Sequence, residues 1–122
     1  MALILVVEDD EANQELVSRF LRRCGHKVLL AGDGLTAVKT ALESLPDLIL
    51  MDLNLPGMDG WETAGLIKSK PATAGVPIIA LTAHHDSEGV EKAVRAGINA
   101  YETKPLVYQR LMKKISELCG DE

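Results

Sequence analysis

At 122 residues with 47 % hydrophobic side chains, the chain is expected to form one domain over 1–122, large enough to bury roughly two thirds of its unfolded surface. A net charge of −5 argues against non-specific nucleic-acid binding, and 3 % aromatics leave few rings on which bases or a flavin could stack. No run of 18 apolar residues occurs, so no segment reads as membrane-spanning, and the first residues lack the cationic stretch of a signal peptide.

The elements alternate. A continuous apolar run, Leu3-Ile4-Leu5-Val6-Val7, predicts a strand over 3–7 that ends in Glu8 and Asp9. Val17, Phe20, Leu21 and Cys24 fall at i, i+3, i+4 and i+7, predicting a helix over 10–24 that Gly25 stops. A strand over 27–31 follows, then a helix over 34–45 carrying Leu35, Val38, Ala41, Leu42 and Leu45 and closed by Pro46. The third strand, 47–51, ends in Asp52. Trp61, Leu66 and Ile67 give a less regular helix over 61–69, with Trp61 as a half-buried starting residue rather than a docking one. A loop over 71–77 leads to a strand at 76–81, a helix at 87–96 stopped by Gly97, a strand at 98–101 and a helix at 106–119. Cys24 and Cys119 lie far apart at apolar helical positions and read as buried free thiols, which points to a reducing compartment, the cytoplasm.

Five strand–helix units in succession predict an α/β fold with a mostly parallel sheet covered on both faces, and the unbroken apolar strands agree. Ligands in such sheets bind beyond the carboxyl ends of the strands. That edge gathers Glu8, Asp9, Asp52, Thr82 and a residue near 102–104.

Three carboxylates in one crevice repel one another and resist desolvation, so they call for a cation. Oxygen-only ligands suit a hard divalent ion, Mg²⁺. Asp52 alone could be a turn cap; beside Glu8 and Asp9 it reads as a ligand or a nucleophile. The turn-rich loop after it, Leu53-Asn54-Leu55-Pro56-Gly57-Met58-Asp59-Gly60, can bend a backbone carbonyl toward the same ion. Thr82-Ala83 and Lys104-Pro105 end the fourth and fifth runs. A lone threonine or lysine there is ordinarily a local turn or a solvated surface group. Together with the acids, they leave a charge of −2 that one divalent cation neutralises. Phosphoryl transfer to Asp52 would need such an ion, a lysine and a hydroxyl donor, because it is mainly positioning and charge neutralisation.

Val6-Val7-Glu8-Asp9-Asp10, Met51-Asp52-Leu53-Asn54-Leu55-Pro56-Gly57-Met58-Asp59-Gly60, Leu81-Thr82-Ala83, and Tyr101 with Lys104-Pro105 stand in the order and spacing of one family. Over its whole length the chain resembles a response regulator receiver domain of two-component signalling. The resemblance implies a flavodoxin-like (βα)5 fold with strand order 2-1-3-4-5. It implies Asp52 as phosphoacceptor, and Mg²⁺ held by Asp9, Asp52 and the backbone carbonyl of Asn54, with Glu8 acting through water. It implies that Lys104 pairs with the carboxylate and then the phosphoryl group, that Thr82 and the N–H of Ala83 contact phosphate, and that Tyr101 follows Thr82 inward as an aromatic switch. The Lys104-Pro105 bond resembles the family's cis peptide. Implied partners are a sensor histidine kinase or histidine phosphotransfer protein and a downstream protein target reached through the 87–119 surface. Neither nucleic acid nor membrane is an expected partner.

The first acid is Glu8, where aspartate is commoner. His84 occupies the variable position that tunes phosphoryl lifetime, and His84-His85 reads as solvated loop rather than a metal site. With the chain ending at Glu122, output is expected through protein contact or onward phosphoryl transfer; a receiver taken from a hybrid histidine kinase is the alternative. A turnover enzyme is not expected: a phosphatase of the haloacid dehalogenase type needs an acid two residues beyond its nucleophile, and Asn54 stands there. A non-phosphorylated pseudo-receiver would ordinarily lack an acid, the threonine or the lysine. A flavodoxin-like cofactor binder would not place acids where a cofactor phosphate must sit.

Overall fold

A computed structural model describes residues 2–82, 91–92 and 94–119. Five parallel strands, β1 (Leu3–Val7), β2 (Lys27–Ala31), β3 (Leu48–Asp52), β4 (Ile78–Thr82) and β5 (Ala100–Thr103), form one sheet in the order β2-β1-β3-β4-β5. This is the expected doubly wound arrangement, with the switch point between β1 and β3. Four helices have defined bounds: α1 (Glu11–Arg23), α2 (Gly34–Ser44), α3 (Gly60–Ser69) and α4 (Tyr108–Cys119). The helix predicted at 87–96 lies partly outside the described residues; 91–92 and 94–95 are helical.

The strands are apolar throughout because both faces are covered. Leu5, Val7, Ile49, Met51, Ile78 and Ala80 pack with Ala37, Ala41, Ala64 and Ile67 of α2 and α3. The alternate residues, Ile4, Val6, Leu48, Leu50, Ile79 and Leu81, pack with Val17 and Leu21 of α1 and with Leu111 and Ile115 of α4. Each fully buried Leu or Ile stabilises the fold by roughly 1.5–3 kcal/mol.

Three helix starts are built alike: the side chains of Asp10, Asp33 and Asp59 accept the N–H of Asn13, Thr36 and Glu62 at 3.1, 2.8 and 2.8 Å. Gly25 and Gly97 take φ of 91° and 84°, the left-handed stops their positions implied. Leu45 caps α2 in the left-handed region, with φ 47° and its N–H on the Ala41 carbonyl.

β1 and β2 match the sequence reading, whereas β3, β4 and β5 sit one or two residues further on. Val76 and Pro77 enter β4 as loop, with the Pro77 carbonyl accepting the Ile49 N–H at 2.9 Å. Asn99 closes the mouth of β5 with its own side chain, whose oxygen accepts the Ile78 N–H at 2.9 Å. The shift brings Asp52 and Thr82 into the sheet as the last residues of their strands. The thiols depart from expectation: both are free, but Cys24 is exposed, because α1 ends at Arg23 and turns it outward, and Cys119 is half-buried.

Candidate phosphoacceptor and metal site

Parallel pairing sets Val7 beside Met51, so the residues that follow, Glu8 and Asp52, leave adjacent strands at the same edge. One carboxylate oxygen from each of Glu8, Asp9 and Asp52 lies within 4.8 Å of the other two. Glu8 and Asp52 are buried, 5 % and 2 % exposed, while Asp9 faces solvent.

Each oxygen of Asp52 has a partner. Oδ2 accepts from Lys104 Nζ at 3.0 Å, and Oδ1 accepts the Asn54 backbone N–H at 2.9 Å. Lys104 is delivered by the sheet, its backbone N–H bonded to the Thr82 carbonyl at 2.8 Å. The peptide joining Lys104 to Pro105 is cis. The loop after Asp52 is pinned by the Leu53 N–H on the Leu81 carbonyl at 3.0 Å and by Gly60 at the start of α3. A Cβ on Gly60 would stand 2.5 Å from Leu53 Cα and 2.8 Å from the Asp52 carbonyl, so only glycine fits.

Burial pushes the Glu8 carboxyl up to about 7; the nearby Asp52 and Asp9 add to the rise, while the Asp10 N–H and the Lys104 charge oppose it. Three carboxylates stand against the one cation, Lys104, that pairs with them among the described residues. The donor set is all oxygen, partly buried and net negative, which fits a hard divalent cation such as Mg²⁺.

Thr82 ends β4 in a buried position, and Tyr101, paired with Ala80 in the sheet, packs against the α2–α3 side of the core. Ala83, His84 and His85 lie outside the described residues. Trp61 starts α3 half-buried against the core, with Lys92 Nζ 5.1 Å from its ring centre. Beside the Lys104–Asp52 pair a cavity of about 260 Å³ opens between Glu8, Asn13, Leu16, Lys104, Leu106 and Tyr108.

Two features escaped the sequence reading. The Gln14 side chain donates to the Glu8 carbonyl at 2.5 Å. Glu102, 4 % exposed on β5, is paired with Lys114 and, at 3.5 Å, with Arg110. The second had a faint signal, an acid at an otherwise apolar strand position with cations one helical turn apart. A glutamine bonded to backbone leaves no pattern.

A doubly wound sheet with an acidic trio and a lysine at its carboxyl edge defines a receiver-type domain. The response regulator receiver domain model matches residues 4–116, and the chain belongs to that family. It is 33 % identical to the polar-differentiation response regulator DivK of Brucella anthropi over 118 residues, covering 97 % of this chain and 96 % of that one. The receiver domain of sensor histidine kinase PA1611 from Pseudomonas aeruginosa, whose structure has a magnesium ion coordinated in the active-site cleft, is 37 % identical with TM-score 0.90, covering 98 % of each chain. Chemotaxis protein CheY4 of Vibrio cholerae is 28 % identical with TM-score 0.92, covering 97 % of this chain and 98 % of that one. None of the described helices is long and apolar enough to cross a membrane.

Proposed function

We propose that residues 1–122 act as one phosphoacceptor unit in which Asp52 takes a phosphoryl group from the phosphohistidine of a sensor kinase or phosphotransfer protein. The observation that carries this reading is a buried carboxylate held at both oxygens, by Lys104 and by the Asn54 N–H, with two further acids beside it. An Asp52 oxygen forms the new bond to phosphorus as the phosphorus–nitrogen bond breaks. The bonding pair leaves with the imidazole of the donor. Lys104, already 3.0 Å from Asp52, pairs with the incoming phosphoryl oxygens as the carboxylate charge moves onto them. Asp9, Asp52 and the Asn54 carbonyl, with Glu8 acting through water, would hold Mg²⁺, which would supply the remaining charge neutralisation.

Thr82 and the Ala83 N–H are the proposed phosphate donors, and Tyr101 follows Thr82 to change the 87–119 surface read by a downstream protein. Phosphorylation adds nearly two charges and three acceptors, enough to bias a two-state element. In this reading the chain is a stoichiometric acceptor; a turnover phosphatase of the haloacid dehalogenase type would need an acid at position 54, where the carboxamide of Asn54 cannot act as one. Free cysteines are in keeping with a cytoplasmic setting. A second reading, a receiver working as a module of a hybrid histidine kinase, is favoured by the 37 % identity to the PA1611 receiver.

Incubation with acetyl phosphate and Mg²⁺ followed by intact-mass measurement tests the proposal. One phosphate should add to the wild type and none to Asp52→Asn; an unchanged wild-type mass would overturn it.

A further inference from the structure

The geometry at Glu8 and Asp9 poses a problem that a single side chain solves. Neighbouring residues of a strand point to opposite faces. Glu8 and Asp9 are neighbours, yet an oxygen from each lies within 4.8 Å of the other and of Asp52. The strand ends at Val7, so the Glu8–Asp9 peptide lies in the loop beyond it, where that alternation no longer applies. Up to that point the sheet still holds the chain, with the Glu8 N–H on the Ala31 carbonyl at 3.0 Å. The Glu8 carbonyl, which belongs to the peptide joining the two acids, accepts from Gln14 Nε2 at 2.5 Å.

Gln14 is well placed to hold that plane. Its own backbone N–H donates to the Asp10 carbonyl at 2.9 Å in the first turn of α1. Its amide lies beside Gly32, where even an added Cβ would be 3.9 Å away, so the loop after β2 leaves room for it. The side chain thus ties the body of α1 to the one peptide that sets the relative aim of two carboxylates.

We propose that Gln14 is a positioning residue for the divalent-cation site, fixing the Glu8–Asp9 peptide so that both carboxylates face Asp52. This rests on the cation reading given above. Outer partners that orient ligands commonly contribute 10–100-fold to metal affinity. Mg²⁺ demands near-ideal octahedral geometry, whereas Ca²⁺ accepts looser arrangements, so a loosened peptide should penalise Mg²⁺ selectively.

Calorimetric titration of the full chain with MgCl₂ and with CaCl₂ tests the idea. Gln14→Met keeps length and removes the donor; Gln14→Asn keeps the amide but retracts it, and serves equally if the first variant does not fold. Relative to wild type, Mg²⁺ affinity should fall about tenfold and Ca²⁺ affinity less than threefold, with metal-free melting temperatures unchanged to within a few degrees. Mg²⁺ affinity within about twofold of wild type, or equal losses for both ions, would overturn the proposal, the latter by marking Gln14 as merely structural. Failure of the wild type itself to bind Mg²⁺ would sink the cation reading and this proposal with it, and is told apart because it appears before any substitution.

Discussion

Two buried carboxylate clusters stand on this sheet and are balanced in opposite ways. At the carboxyl edge, Glu8 and Asp52 share Asp9 as a third acid and, among the described residues, have Lys104 alone as a paired cation. On β5, Glu102 is equally buried but sits between Lys114 and Arg110. The Glu102 cluster is closed: its anion is more than matched by cations from α4, which it ties to the sheet. The acidic edge is open, because among the described residues its anions outnumber the near cations; burial is the main cause of the rise of the Glu8 carboxyl to about 7, and the neighbouring acids add to it. Burial is thus common to the two clusters, and the local charge balance is what differs between them.

The contrast can be broken most severely at Asp52. Asp52→Asn should abolish phosphate uptake from acetyl phosphate, seen by intact mass, while Glu102→Gln should leave uptake in place. Next comes ligand linkage: at a free Mg²⁺ concentration 100 times its Kd, the wild type should gain about 2.7 kcal/mol in urea unfolding. Asp9→Asn should lose most of that gain and Lys114→Met should keep it. An equal gain in Asp9→Asn would remove Asp9 from the site.

Removing one cation from the closed cluster should cost about 2 kcal/mol. Lys114→Met leaves Glu102 buried with Arg110 as its remaining cation among the described residues, and urea unfolding measures the loss. A pH series sharpens the open cluster by a similar amount. Glu8 has a folded pKa of about 7 against the ordinary 4.5, so its ionised form is disfavoured in the fold. Its contribution to stability is complete below pH 4.5 and is lost as the pH rises through 7. The metal-free protein should thus lose about 2 kcal/mol from this group between pH 5 and pH 8. Glu8→Gln should flatten that slope in chemical unfolding, and an unaltered slope would show that Glu8 is not its source. The smallest effect belongs to the exposed pair on α1, Arg19 with Glu15 at 2.8 Å, where Arg19→Ala should cost at most about 0.5 kcal/mol in the same assay.

Much of the site was legible because its residues sit where apolar runs stop. Glu8, Asp9, Asp52, Thr82 and Lys104 all follow or end strands, and period and composition alone mark those points. The end of β3 illustrates the limit: the apolar run suggests 47–51, but pairing with β4 carries the strand through Asp52, which stands in register with Leu81. The Glu102 cluster is only faintly legible, since the cations spaced one helical turn apart at 110 and 114 do not say against which strand their helix will dock. Cys24 was misjudged as buried because helical periodicity was extended one residue past the end of α1.

By itself, the sequence determined the five strands and four of the helices that alternate with them, the parallel α/β architecture and the identity of the acids, threonine and lysine at the strand ends. These follow from local periodicity and from residue chemistry, both of which are written along the chain. Only the tertiary structure decided the distances: Lys104 on Asp52 across 52 positions, the acidic trio within 4.8 Å, and Gln14 on the Glu8 carbonyl. Those contacts arise from strand register and helix docking, which depend on how distant segments share one core rather than on any segment alone.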